Sequence, residues 1–314
     1  MRYGFGVDVF GPLVKYGFFD EKGELLESWK VPAPDNQDGN HVLAEVAREV
    51  ERYMTSHSLS EDDILGIGIG IPGPVNKSGV VNKCVNYNWG VFNIERALAG
   101  LTGLNVKAGN NASLAALGEC WKGSGTKDMV FVALNTGIGG AVVCDGILVK
   151  GAQGAGGEFG HIQVNKNEKK ACTCGLRGCL EQYCSPIGMM REMERLSDEA
   201  PRSRFFRRQP LPANHIEIAK AAENGDQIAV QVMNRFYDYF GQMLAGVCCV
   251  TNPDTIVLGG ELTKMGDSVL KGIAKSFRRY VFHANQQVEF CFAGLGTDAC
   301  IFGAFRGVLD FFGD

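Results

Sequence analysis

The stretch Gly157 to Glu181, GEFGHIQVNKNEKKACTCGLRGCLE, constrains this chain more than any other. It sets one imidazole (His161) and three thiols (Cys172, Cys174, Cys179) on a short segment rich in glycine and lysine. One histidine and three cysteines are the ligand set of a closed, tetrahedral, structural zinc site. The polar and glycine neighbours of the thiols are wrong for an apolar core. Two carboxylates, Glu158 and Glu181, flank the set. A metal-folded loop is therefore expected, and it carries two acids that can face a polar ligand.

Bulk properties narrow the setting. A chain of 314 residues predicts about two domains. With 45% hydrophobic and 21% charged residues it reads as an ordinary soluble globular protein. A net charge of -4 favours neither nucleic acid nor anionic membranes. The N-terminus lacks the apolar core of a signal peptide, and the apolar run Met243 to Val250 is far too short for a membrane span. The 11 cysteines are odd in number, and several (Cys248, Cys249, Cys291, Cys300) lie on apolar runs where cysteine acts as a small hydrophobe. A reduced, cytoplasmic setting follows, in which clustered cysteines are metal ligands rather than disulfides.

Patterning predicts alternating strands and helices. Tyr3 to Val9 and Val14 to Phe19 read as a hairpin, with a further turn at Glu21 to Glu24. His41 to Thr55 has helical spacing, and Ile64 to Ile71 (ILGIGIGI) is a buried strand ending at Pro72-Gly73-Pro74. Ala112 to Lys122 is helical. Met129 to Leu134 is a strand, Gly137 to Gly140 a turn, and Ala141 to Cys144 and Ile147 to Lys150 are strands. This echo of the N-terminal hairpin predicts two lobes of similar α/β build. Helices are expected at Ile187 to Leu196, His215 to Glu223, Gln227 to Val250 and Ala299 to Phe312, and a strand at Thr255 to Leu258. Pro201 to Pro212 reads as a basic, solvated loop.

Three further motifs join the cysteine loop: Asp8 leading a tight turn (DVFGPL), Ala133 to Gly140 (ALNTGIGG), and Asn252-Pro253-Asp254 running to Gly259-Gly260. Together with GEFGH and CTCGLRGCLEQY they make the chain resemble the ROK family (repressors, open reading frames, kinases) from Asp8 to Gly303. Ile69 to Val75 (IGIPGPV) and Asn86 to Gly90 (NYNWG) bring it nearest the glucokinase-like members. The resemblance implies a two-lobed, actin-like (ribonuclease-H-like) ATPase fold with a ligand cleft between the lobes. Residues 1–120, closed by the helix 299–314, would form the smaller lobe. Residues 121–298, with the zinc loop at 157–184, would form the larger.

The resemblance also implies a ligand for each motif. Asn110, Glu158, His161 and Glu181 would contact a hexose, a ligand rich in hydroxyls that both donate and accept. His161 would give one ring nitrogen to zinc and the other to the sugar. ATP phosphates would lie over the turns containing Gly11 and Thr136, Gly137 and Gly139, where backbone N–H groups face anions. Gly259 and Gly260 would border the adenosine, and Asp8 would hold Mg²⁺. A homodimer or tetramer is implied. Repressors of the family carry a winged-helix domain before the first turn; only seven residues precede Asp8, so a DNA-binding role would need another chain.

The chain departs from the family on the phosphate side. The family's general base is the aspartate of an Asn-Asp-Ala-Asn run; here the run is Asn110-Asn111-Ala112-Ser113. An amide at 111 cannot take the proton of a sugar hydroxyl, and such a base is worth about 10²–10⁴-fold. Phe10 and Pro12 stand where the phosphate turn favours glycine and threonine. Asn135 replaces a glycine, and Glu261 follows Gly259-Gly260 and adds negative charge near a polyanion. Thr173 replaces a glycine within the cysteine loop without touching its ligands. Two readings follow: a hexose kinase of glucokinase type with impaired transfer to the 6-hydroxyl, and a zinc-stabilised sugar-binding pseudokinase or sensor.

Overall fold

A computed structural model describes residues 1–33, 40–82, 84, 87–199 and 211–313. Asn86 and the larger part of the expected basic loop, residues 201–210, lie outside the described residues. The chain opens with β1 (Tyr3–Phe10), β2 (Leu13–Asp20) and β3 (Leu25–Pro32), followed by α1 (Asn40–Ser56) and β4 (Ile64–Ile71). A small ribbon, β5 (Val80–Val81) with β6 (Phe92–Asn93), precedes α2 (Ile94–Thr102), β7 (Val106–Asn110) and α3 (Asn111–Lys122). Then come β8 (Met129–Leu134), β9 (Ile138–Cys144) and β10 (Ile147–Leu148). After the cysteine loop follow α4 (Glu181–Cys184), α5 (Pro186–Glu199), α6 (His215–Glu223), α7 (Gln227–Thr251) and β11 (Thr255–Gly260). The chain ends with α8 (Asp267–Tyr280), β12 (Glu289–Phe292) and α9 (Ala299–Phe312). Two five-stranded sheets result, ordered β3-β2-β1-β4-β7 and β10-β9-β8-β11-β12.

The chain divides into two compact units. The first comprises Met1–Lys127, Ala141–Gly157 and Gly294–Asp314; the second comprises Asp128–Gly140 and Glu158–Ala293. The segment Ala141–Gly157 thus clusters with the first unit.

Strand alternation explains the first unit. Phe5, Val7 and Val9 of β1 and Ile67, Ile69 and Ile71 of β4 point to one face, where they join Val42, Val46 and Val50 of α1 in a buried core. Burying one such side chain stabilises by roughly 1.5–3 kcal/mol. The other face carries Gly4 and Gly6 of β1 and Gly66, Gly68 and Gly70 of β4. A Cβ at Gly6 would sit 2.1 Å from the Ile301 carbonyl oxygen, and one at Gly68 2.0 Å from that of Ala304. The glycines therefore let α9 lie flush on the sheet, where Ile301, Phe305 and Val308 close over Phe19 and Leu65. The same alternation puts Asp8 on the α9 face.

In the second unit β8, β11 and β12 run parallel, with Gly259 opposite Ala133 and Gly260 opposite Leu134. Parallel strands that end together create a rim where backbone and loop groups can meet a ligand. Three expectations need correction. Residues 138–140 are strand rather than turn, because β9 already begins at Ile138; the turn is Asn135 to Gly137, where the Asn135 N–H donates to the Gly137 carbonyl at 2.9 Å. The N-terminal hairpin gains a third strand, β3, an exposed edge whose charged residues hid its pattern. The helices α2 and α8 and the strands β5, β6, β7 and β12 add to the expected elements. Among the described residues no helix is long and apolar enough to cross a membrane.

Candidate functional site

The cysteine loop folds around its four predicted ligands. A short helical turn, Phe159–His161, presents the imidazole, and Gln163 bridges to Cys179 while Ala171 bridges to Arg177. Cys172 N–H donates to Leu176 O at 2.7 Å, closing the first thiol pair into a tight turn. Gly178 has φ 76°, and a Cβ there would lie 1.8 Å from the Asn165 carbonyl, so only glycine fits. Gln182, buried and not singled out by sequence, anchors the loop from behind. Its Oε1 accepts from Gly178 N–H at 2.8 Å and Cys179 N–H at 3.2 Å, and its Nε2 donates to Lys170 O at 3.0 Å.

The ligand atoms of His161, Cys172, Cys174 and Cys179 all lie within 4.8 Å of one another. The Cys174 and Cys179 sulfurs are 3.7 Å apart, and Cys172 Sγ is 3.9 Å from His161 Nδ1. A tetrahedron with Zn–S bonds of about 2.3 Å has S–S edges of about 3.8 Å. The donor set and its spacing therefore fit a four-coordinate ion bound through Nδ1, which leaves Nε2 of His161 for another partner.

Glu181 opens α4, two residues beyond Cys179. Its Oε2 accepts from the Ile138 N–H at 2.9 Å, and the Thr173 hydroxyl donates to Oε1 at 3.5 Å. A Cβ on Gly137 would lie 2.1 Å from that Oε2. The bare Cα of Gly137 makes room for the Glu181 carboxylate. Glu158 is exposed at its outer edge, while desolvation of its inner side pushes its carboxyl above the usual range. His161 opposes that rise and Glu181 adds to it. Glu158, His161 and Glu181 thus gather in the second unit around the cysteine loop.

At the rim of β8 and β11, Gly260 has φ 64°, and a Cβ there would lie 2.6 Å from Asn135 Oδ1. Asn135, Thr136, Gly259 and Gly260 share this edge, the two glycines closing β11 beside the turn that follows β8. Glu261 does not stand as a bare charge: Lys264 Nζ donates to its Oε1 at 2.6 Å.

Gly139, on β9, also lies in the second unit, while the first unit holds Asp8, Gly11, Asn110 and Asn111. Asn110 Oδ1 caps α3 by accepting from Ser113 N–H at 3.1 Å, and its Nδ2 donates to Gly73 O at 3.4 Å. Asn111 Oδ1 accepts from Ala112 N–H at 2.8 Å, so the amide is turned onto the helix start. Gly11 turns the hairpin with φ 54°, its carbonyl receiving the Tyr87 hydroxyl at 2.9 Å. Burial raises the Asp8 carboxyl to about 6, against the lowering effects of the Cys300 thiol and Lys15. Asp8 Oδ1 has no hydrogen-bond partner among the described residues. Lys15 pairs with Asp298 and donates to Thr297 Oγ1 at 2.9 Å. A Cβ on Gly70 would meet Cys300 Sγ at 2.5 Å and Asn111 Cβ at 3.4 Å, so Asp8, Cys300 and Asn111 surround one strand end.

Glu119 escaped the sequence reading. Read as a helix former, it is a fully buried carboxylate that accepts from the N–H groups of Ser124 and Gly294 at 2.9 Å and Leu295 at 2.8 Å. It thereby fixes the segment that delivers Thr297 and Asp298.

Paired α/β sheets of the actin-like, ribonuclease-H-like class, with a His-Cys₃ loop beside two acids, define the kind of protein this is. The chain belongs to the ROK family, whose model matches residues 4–310. It is 34% identical over 310 residues to the glucokinase of Halalkalibacterium halodurans, covering 96% of this chain and 93% of that protein. The ROK hexokinase from Thermus thermophilus superposes with a TM-score of 0.81 at 29% identity, covering 98% of this chain and 100% of that one. The glucokinase from Streptomyces griseus, in complex with glucose and AMPPNP, gives 0.75 at 26% identity, covering 96% and 97%.

Proposed function

We propose that this chain binds a hexose and transfers a phosphoryl group to it from Mg·ATP, at a rate limited by the amide at Asn111. The observation that carries the sugar half is the convergence of Glu158, His161 and Glu181 on the metal-ligating loop of a chain 34% identical to a glucokinase. Zn²⁺ is the ion that suits one imidazole and three thiolates, and its role is structural, since four protein ligands leave no open position. Glu181, two residues beyond Cys179, would be oriented by that ion and by the Ile138 N–H. Sugar hydroxyls donate to the two carboxylates, and His161 Nε2 meets a third.

Phosphoryl transfer needs charge neutralisation and a proton acceptor. Mg²⁺ bound to ATP would supply the first, and Asp8, with Oδ1 unpaired among the described residues, is the carboxylate that would hold it. The acceptor position is Asn111, which has no basic atom. Direct proton loss to solvent then replaces general-base catalysis, slowing the reaction by about 10²–10⁴-fold.

A second reading, a sugar-binding pseudokinase, is favoured by Phe10 and Pro12, which put a ring and a donorless nitrogen in the phosphate turn. Calorimetric titration with glucose and Mg·ATP separately distinguishes the readings. The kinase account predicts heats for both ligands. Glucose binding without Mg·ATP binding would establish the pseudokinase, and binding of neither would remove both.

A further inference from the structure

The rim where β8 and β11 end carries a polar cluster of Glu261, Lys264 and His215. Glu261, immediately after Gly260, has one carboxylate oxygen occupied by Lys264 at 2.6 Å. The other, Oε2, faces His215 Nε2 across 3.9 Å. His215, the first residue of α6, is 7% exposed, and its Nε2 has no hydrogen-bond partner among the described residues. A gap of 3.9 Å is too long for a direct hydrogen bond. It suits one inserted oxygen: an atom about 2.8 Å from both groups would subtend roughly 90° between them, close to hydroxyl geometry. A hydroxyl can donate to the carboxylate and accept from the imidazole N–H at once. Burial lowers the His215 imidazole, outweighing Glu261 and joined by Lys264, so the ring is neutral and one nitrogen carries a hydrogen.

We infer that Glu261 and His215 together bind a ribose hydroxyl of the nucleotide that lies along Gly259-Gly260, making this pair a determinant of donor choice. Acidic side chains read ribose diols at strand ends in other nucleotide folds for the same reason: a carboxylate accepts two hydroxyl protons. Lys264 neutralises Glu261 enough for a polyanion to approach, while His215 fixes the oxygen that stays free. The donor is thereby a ribonucleoside triphosphate, with 2′- or 3′-deoxynucleotides and inorganic polyphosphate disfavoured. This inference rests on the proposed function, which supplies the nucleotide.

The test is calorimetric, with Mg²⁺ present. Dissociation constants for ADP, 2′-deoxyADP and 3′-deoxyADP are measured on the wild type, Glu261→Gln, Glu261→Gly and His215→Gln. The wild type is expected to bind ADP about 10-fold or more tightly than at least one deoxy analogue, the loss of a hydrogen bond to a charged group. Glu261→Gly should reduce that preference to within about 2-fold, with Glu261→Gln intermediate and glucose affinity unchanged, which also reports folding. Equal binding of all three nucleotides by the wild type, or a preference that survives in Glu261→Gly, overturns the inference while leaving the kinase reading standing. Absence of any nucleotide binding beside intact glucose binding overturns both.

Discussion

Replacing Gly137 by alanine isolates the contact that ties the glycine turn to Glu181, the acid proposed to bind sugar. A Cβ at this position would stand 2.1 Å from Glu181 Oε2 and 3.0 Å from its Cδ. Ordinary contact begins near 3.4 Å, so the carboxylate must retreat by about 1 Å. That movement breaks the 2.9 Å hydrogen bond from Ile138 N–H. A hydrogen bond to a charged group is worth about 1.5–3 kcal/mol. If Glu181 must be held there to receive a sugar hydroxyl, the loss should appear as a rise of about 10- to 150-fold in the glucose dissociation constant. The backbone of Gly137 lies outside the left-handed region, so alanine introduces no conformational strain of its own. The assay is calorimetry with glucose and with Mg·ATP, alongside thermal unfolding to show the variant is folded. A phosphate-binding role for Gly137 predicts the opposite split, weakened Mg·ATP with glucose unaffected. A folded Gly137→Ala protein whose glucose affinity changes less than about 2-fold would refute the reasoning.

Other outcomes follow from the same contacts. Stripping the metal with a strong chelator, or making Cys179→Ser, should release about one zinc per chain and abolish glucose binding by freeing Glu181; undiminished affinity in metal-free protein would break that link. Gly303→Ala should destabilise by at least about 1–3 kcal/mol in thermal or denaturant unfolding, because its Cβ would lie 1.7 Å from the Leu114 carbonyl where α9 meets α3. Gly307→Ala on the same helix, with open space around it, should instead stabilise by up to about 1 kcal/mol, which separates packing from helix propensity.

What could be read from the sequence was set by how local each signal is. The cluster of His161, Cys172, Cys174 and Cys179 was legible because thiols and imidazole have few other reasons to gather on a polar segment. The buried strand Ile64–Ile71 announced itself by apolar continuity, and its glycines by alternation. The partner of Glu181 was not legible: Ile138 N–H lies 43 residues earlier and is brought in only by tertiary folding. Glu119 looks like any helix-favouring acid until the chain near Gly294 returns to it. The helix α8 carries Val269, Ile273 and Phe277 at helical spacing, and the missing side chain of Gly272 makes room for Tyr237, whose ring a Cβ would meet at 2.5 Å. Glu261 shows the reverse error, since a charge judged in isolation proved to be paired with Lys264.

The rate of ADP release with saturating glucose and Mg·ATP, compared between the wild type and Asn111→Asp, tests the central claim most directly. The account predicts slow turnover in the wild type and an increase of about 10²-fold or more on restoring a carboxylate at the head of α3, with glucose affinity little changed. Turnover in the wild type that Asn111→Asp fails to raise would contradict it, because the missing proton acceptor would then not be what limits the reaction.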